Sequence, residues 1–292
     1  MPFATTPTLK IAYETGGPSD GVPVLLLHGW PDDVRTFDRL VPGLQAAGFR
    51  TVAPYLRGFG ETTFISKDVM RSGEIVALAQ DVIDLVDALN IGKFAVIGHD
   101  WGARIAYALA IVIPQRVTRM VTMAVGWQPG QLPTPSLKQA QAYWYQWLMA
   151  TKRGREIVRG NGKAFARIQW NSWSPPGWFD DAEFEQTAKS FENPDWPEIT
   201  WHSYSVRWGE ADKDARYGEL DRRINAAQSI SVSTLMIQGG SDAVSLPEAT
   251  DGKDKYFTGG YARHVIPGVG HFPTREAPEV VSKLVLEFLR GL

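Results

Sequence analysis

The 292-residue chain contains no cysteine. Disulfides and thiolate metal sites are therefore excluded, and a reducing cytoplasm is compatible with the composition. No Lys/Arg-dense run is present either: 30 basic and 32 acidic residues leave a formal charge of −2. Without a basic stripe to track phosphates, nucleic acid is not an expected partner. The apolar runs are short and interrupted, far from the roughly 20 residues that span a bilayer, so no membrane partner is expected. The opening "MPFATTPTLKIAYETGG" lacks a basic stretch followed by an apolar one. No signal peptide is visible there, and a cytoplasmic location is expected. Internal repeats and low-complexity tracts are missing as well.

What is present suits a large α/β domain carrying an insertion. Hydrophobic residues make up 44% of the chain, enough to bury a sizeable core. Strand-like runs recur as "VPVLLLHG", "FRTVAPY", "KFAVIGHD", "VTRMVTMAV", "STLMIQGG" and "ARHVIPGVG". Continuous apolar runs of this length suit strands buried on both faces, as in a parallel sheet. Between them, Ile75, Leu78, Ala79, Val82, Leu85, Val86 and Leu89 fall at helical spacing. The alternation predicts a doubly wound, mostly parallel α/β sheet. It breaks after Val125, where the chain turns Trp-, Pro- and Gln-rich, with helical stretches near Leu137–Thr151 and Asp181–Phe191. "SVSTLMIQ" resumes the strand pattern. The expected organisation is a core of residues 1–126 and 229–292, with an inserted helical cap over 127–228.

The segment "VIGHDWGARIA" runs from a strand through a polar turn into a small-residue helix. In the related pattern G-x-S-x-G, a serine nucleophile sits at the apex of a strained strand-to-helix turn. Here the apex residue is Asp100, flanked by Gly98 and Gly102. Asp100 could act as an ordinary N-cap or pair with Arg104 one turn on. A plain N-cap does not need both glycines, so a nucleophile is the favoured reading. An α/β-hydrolase arrangement runs nucleophile, acid, histidine along the chain. Asp242, in "GGSDAVSLPE", and His271, in "PGVGHFPTREAP", follow in that order, each just after a predicted strand. Ligands of doubly wound sheets bind beyond the carboxyl ends of strands, where these three residues could converge. In "LLLHGWPDD", the backbone N–H of Trp30 can face the same place. With the N–H of Trp101 it would form an oxyanion hole. Of the other histidines, His28 and His99 are expected to orient backbone, His202 lies in the cap and His264 in a strand. No histidine pair has zinc-protease spacing, so neither a metal nor a cofactor is expected.

On "HGWP", "LRGFG", "GHDWGA", the late "GSD" and "GVGHFP", the chain resembles the α/β-hydrolase superfamily, specifically epoxide hydrolases and their haloalkane dehalogenase relatives. The resemblance covers most of the chain. It implies the α/β-hydrolase fold, with a mainly parallel eight-stranded sheet and an inserted helical lid. Tyr55, in "APYLRGFG", departs from the family's more frequent aspartate. The G-H-D-W-G form implies an aspartate nucleophile. A carboxylate is anionic at neutral pH and needs no general base to attack saturated carbon. Attack would leave a substrate ester on Asp100. His271, oriented by Asp242, would deprotonate the water that hydrolyses it, and Trp30 and Trp101 would stabilise the oxyanion.

The resemblance also bears on substrate. Epoxide hydrolases use two lid tyrosines on the leaving oxygen. Tyr145 in "QAYWYQWLM" and Tyr204 in "TWHSYSVRW" occupy similar positions, although the family's Tyr-Arg dipeptide is here Tyr204-Ser205. Tyr143 and Tyr217 are decoys. Aromatics at helical spacing are usually core, so some of Tyr143, Trp144, Tyr145 and Trp147 must simply pack. Haloalkane dehalogenases use N–H donors for the halide, and Trp30 stands where many have asparagine. Fluoroacetate dehalogenases usually have arginine in place of Trp101. The expected activity is epoxide hydrolysis, with haloalkane dehalogenation second and a non-catalytic binding protein of the same fold third. The expected partners are a small apolar epoxide and water, with a homodimer as a compatible assembly.

Overall fold

Each of the six apolar runs forms a strand. In the computed structural model, which describes residues 1–130 and 134–292, β1 (Phe3–Thr5) and β2 (Leu9–Gly16) precede β3 (Pro23–Leu27). Helix α1 (Val41–Ala46) then leads to β4 (Arg50–Pro54) and the two-residue β5 (Thr63–Phe64). Next come α2 (Ile75–Ala88), β6 (Phe94–His99), α3 (Trp101–Val112) and β7 (Val117–Met123). Across the sheet the order is β1-β2-β4-β3-β6-β7-β8-β9, with β5 paired to β2; β8 is Thr234–Gly239 and β9 Tyr261–Ile266. The strands from β4 to β9 along that path pair in parallel, whereas β1, β2 and β5 are antiparallel. Every residue of β6 and β8 is buried, which is why those runs are apolar without alternation.

Side-chain alternation along β3 and β6 divides the core in two. Leu25, Leu27 and Val96 pack with Leu78, Val82 and Leu85 of α2 and Ile105 and Leu109 of α3. On the opposite face, Val24, Leu26, Ala95 and Ile97 meet Val281, Val285 and Leu289 of the closing helix, α11 (Pro278–Leu289), which follows the short α10 (Pro273–Glu276). The chain leaves β3 for β4 on one side and returns to β6 on the other. This topological switch puts the loops after β3 and β6 side by side, and their register pairs Leu27 with Gly98.

Between β7 and β8 the chain is helical: α4 (Leu137–Ala142), α5 (Trp144–Met149), α6 (Lys152–Ser172), α7 (Asp181–Ala188), α8 (Trp196–Arg207) and α9 (Gly218–Ala226). Residues 131–133, inside the segment expected as a cap, lie outside the described residues. The helix expected over 137–151 is broken at Tyr143, whose ψ of 16° takes it out of the helical range. The one near 181–191 ends in a 3₁₀ turn over Lys189–Glu192. The insertion is also more helical than its composition suggests. Helix α6, kinked at Asn161, hides its apolar residues among charges. Among the described residues, no helix is long and apolar enough to cross a membrane.

Candidate active site

The turn after β6 is built by close backbone approach. A Cβ on Gly98 would lie 2.2 Å from the Gly102 carbonyl oxygen, and one on Gly102 would lie 1.8 Å from that of Leu27. Neither position tolerates a side chain. Asp100 has φ of +51°, in the left-handed range that non-glycine residues rarely adopt. Its side chain does not cap α3, and it forms no ion pair with Arg104. Instead Oδ1 accepts the backbone N–H of Trp30 at 3.0 Å, and Oδ2 lies 3.7 Å from Nε2 of His271. Gly29 permits this contact: a Cβ there would sit 2.4 Å from Cβ of Asp100. Trp101 is the first residue of α3, where backbone N–H groups have no intrahelical acceptor.

Asp242 and His271 reach the same place from the ends of β8 and β9. The Asp242 Oδ1 accepts the N–H groups of Val244 and Ser245, at 2.9 and 2.8 Å. This fixes the carboxylate so that Oδ2 accepts Nδ1–H of His271 at 2.8 Å. Nε2 of His271 is buried, faces Asp100 and has no hydrogen-bond partner among the described residues. The two flanking histidines hold backbone. His28 Nε2 accepts the Leu56 N–H at 3.1 Å, and His99 Nε2 donates to the His271 carbonyl at 2.7 Å.

The insertion supplies the remaining wall. Tyr145, from α5, stacks on the Trp30 ring at 5.6 Å, and Tyr204, from α8, meets that ring edge-on at 5.3 Å. The two tyrosine rings are 5.2 Å apart and nearly perpendicular. Tyr204 OH accepts Nε1–H of Trp101 at 3.2 Å, Tyr145 OH accepts from Gln146 at 2.8 Å, and Trp30 Nε1–H donates to Thr200 at 3.1 Å. All seven residues singled out in the sequence, Trp30, Asp100, Trp101, Tyr145, Tyr204, Asp242 and His271, are buried and meet in one cluster. The decoys differ. Tyr217 packs under α2 and accepts from Arg57, while Tyr143 sits at the break between α4 and α5.

Charge is distributed unevenly across this cluster. Burial alone would raise the Asp100 pKa, but His271, His99 and the Trp30 amide outweigh it and hold the carboxyl near 2. Burial opposes a charged His271 too, yet the Asp242 and Asp100 carboxylates push it up to about 10. His28 is lowered to about 4 by burial, in keeping with its acceptor role. Tyr145 and Tyr204 are raised by burial and then by neighbouring groups, Asp100 among them, so both hydroxyls stay protonated.

Sequence reasoning missed the residues that hold the histidine loop. Ser174 accepts the His271 N–H at 2.8 Å and donates to Glu276 at 2.7 Å. Glu276 in turn accepts the N–H groups of Gly270 and Phe272. The Trp173 ring packs edge-on to His271 at 4.9 Å. Trp173 and Ser174 lie in "NSWSPPGW", which reads as loop punctuation; its density of Trp and Pro was the available signal.

This strained strand-to-helix turn on a doubly wound sheet is that of an α/β-hydrolase-fold enzyme. The model of the alpha/beta hydrolase fold family matches residues 22–278, and the chain belongs to that family. Its relatives narrow the comparison. A crystal structure of a Klebsiella pneumoniae protein, provisionally described as an epoxide hydrolase, superposes with a TM-score of 0.92. It is 36% identical, over 98% of this chain and 96% of that one. An epoxide hydrolase of Neurospora crassa is 27% identical over 99% of this chain and 94% of its own length. A haloalkane dehalogenase of Psychrobacter cryohalolentis is 26% identical over 96% and 88%.

Proposed function

We propose that this protein hydrolyses a small-molecule epoxide to a vicinal diol through a covalent ester on Asp100. Residues 127–228 act as the cap over a core of residues 1–126 and 229–292, contributing the two tyrosines. Asp100 Oδ1 is held by the Trp30 amide, which leaves Oδ2 to attack a ring carbon. As that bond forms, the ring C–O bond breaks and its oxygen takes a proton from Tyr145 or Tyr204. His271, steadied by Asp242, then removes a proton from water as the water attacks the ester carbonyl. The Trp30 and Trp101 N–H groups stabilise the tetrahedral oxyanion, and collapse releases the diol and restores Asp100. The proton gained by His271 replaces the one given by the tyrosine.

One observation carries the choice of an epoxide over a halide. Both indole N–H groups beside Asp100 are already bound to hydroxyls, Trp101 to Tyr204 and Trp30 to Thr200. A leaving halide needs such donors open, whereas a leaving alkoxide needs protonated hydroxyls, which the tyrosines supply. The test is a paired screen of aryl and alkyl epoxides beside haloalkanes. Diol formation without halide release is expected; halide release with epoxides untouched would overturn the reading. In His271→Ala, mass spectrometry should find an epoxide adduct accumulating on the Asp100 peptide, and a label elsewhere would exclude the proposed nucleophile.

A further inference from the structure

The protein pairs its two deeply buried arginines, Arg57 and Arg275, with carboxylates. Arg57 makes two bonds of 2.6 Å to Asp81, and Arg275 binds Asp32 at 2.6 Å and Glu183 at 2.9 Å. Arg104 and Arg207, both half-buried, differ. Each has a buried Nε without a hydrogen-bond partner, and among the described residues neither guanidinium has a carboxylate within ion-pair distance. Their placement follows from the helices that carry them. Arg104 lies one turn beyond Asp100 on α3, and Arg207 lies one turn beyond Tyr204 at the end of α8. The Trp101–Tyr204 hydrogen bond ties those two helices together at the preceding turn. The Arg207 guanidinium is 5.9 Å from the ring centres of both Tyr143 and Trp208, so it lies over aromatic surface rather than against an anion.

Two neighbouring cations without a counter-ion, partly removed from water, are costly unless something negative joins them. The pair feels that cost: burial first, and then repulsion from Arg207, lowers Arg104 to about 10. The electrostatic neighbours of Arg104 also include Tyr143, Asp100 and Tyr204, so the pair borders the proposed reaction centre. Asp100 is engaged by Trp30 and His271 and bonds neither arginine through its side chain.

We infer that Arg104 and Arg207 form an anion subsite that selects an epoxide bearing a carboxylate beside the ring. Guanidinium groups match the planar, two-oxygen geometry of a carboxylate. With the carboxylate there, the oxirane lies among Asp100, Tyr145 and Tyr204, and attack by Asp100 followed by water converts an oxirane carboxylate to a dihydroxy acid. The aromatic walls hold the carbon skeleton while the anionic end is recognised. This inference rests on the epoxide reading for its chemistry, but the subsite can be tested without turnover.

The binding probe is cyclopropanecarboxylate, a carbon isostere of glycidate that cannot be opened, measured by calorimetry against cyclopropanecarboxamide. The carboxylate should bind at least tenfold more tightly than the amide. Arg104→Gln and Arg207→Gln should each remove that preference, while the exposed Arg153→Gln should keep it. Folding is checked by thermal unfolding without ligand: relief of an unpaired buried charge predicts an unchanged or higher Tm for Arg104→Gln, and a structural role predicts a lower one. Turnover is then read as the ratio of kcat/KM for glycidate over glycidamide, expected to exceed ten and to fall at least tenfold in Arg207→Gln. Equal binding of carboxylate and amide, or a preference that survives both substitutions, overturns the subsite. Preferential carboxylate binding with neither epoxide opened would uphold the subsite and overturn the epoxide reading instead.

Discussion

Asp100 and His271 titrate as a linked pair, because each owes part of its shifted pKa to the other. With Asp100 held near 2, the proposed nucleophile is ionised throughout the neutral range, and single-turnover ester formation should be flat from pH 5 to 8. In the proposed mechanism, alkylation would remove the Asp100 charge, one of the two carboxylates that hold His271 protonated, so the imidazole pKa would fall when a base is needed. Ester hydrolysis should therefore slow as pH falls. Rapid-quench mass spectrometry of the Asp100 peptide separates the two steps, and a pH-independent hydrolysis step would remove His271 from the base role. For folding, the raised His271 pKa contributes stability that is fully present below about 6.5 and lost as pH rises through about 10. The proton donation proposed for the tyrosines belongs to this scale too. Tyr145→Phe with Tyr204→Phe should cut diol formation by about 10²–10⁴-fold, with steady-state kinetics as the measurement.

The loops that follow β3 and β6 depend on strand ends that leave no room. Gly102→Ala would press a methyl group against the Leu27 carbonyl. A loss of about 2–3 kcal/mol is expected from such overpacking, read by chemical denaturation. The 3₁₀ turn of Val34–Phe37 carries a second constraint. Its N-cap, Asp33, accepts the Arg35 N–H and also binds Ser190 in the insertion at 2.6 Å. Burial and then the neighbouring Asp32 raise the Asp33 pKa to about 7. An acid with a raised native pKa favours folding when protonated, so this contribution fades as pH rises from about 4 through 7. Asp33→Asn should flatten the Tm dependence between pH 5 and 8, and an unchanged slope would show that Asp33 ionises freely in the folded state.

At the scale of the whole molecule, sheet and insertion are joined through polar links as well as aromatic packing. Arg275 in α10 reaches Asp32 after β3, and also Glu183 and Thr187 in α7. Trp170 in α6 donates to the Pro31 carbonyl at 2.7 Å. Removing one member leaves charge buried without its partner, which typically costs 3–5 kcal/mol. Arg275→Met should accordingly lower Tm by roughly 5–8 °C in differential scanning calorimetry. Because Arg275 also lies over the Trp170 ring, and α6 packs against α5 and α8, which carry Tyr145 and Tyr204, the proposed diol formation should fall with it.

The local sequence determined the parallel strands and the elbow, because strands buried on both faces must be apolar and a tight strand-to-helix turn needs Gly98 and Gly102. The order Asp100, Asp242, His271 was legible for the same reason: each follows a strand, and strand ends of one sheet share an edge. The antiparallel start through β1, β2 and β5 was not legible, since β1 and β5 are only three and two residues long and the second half of the eight-residue β2 is partly exposed. Nor were α6 and α8, whose apolar residues are scattered among charged and polar ones. Only the tertiary structure decided that Ser174 and Glu276 brace the histidine loop, and that Arg104 and Arg207 have no counter-ion among the described residues. Whether a charge is paired depends on what other segments bring within a few ångströms, and pairing between distant segments leaves no periodicity along the chain.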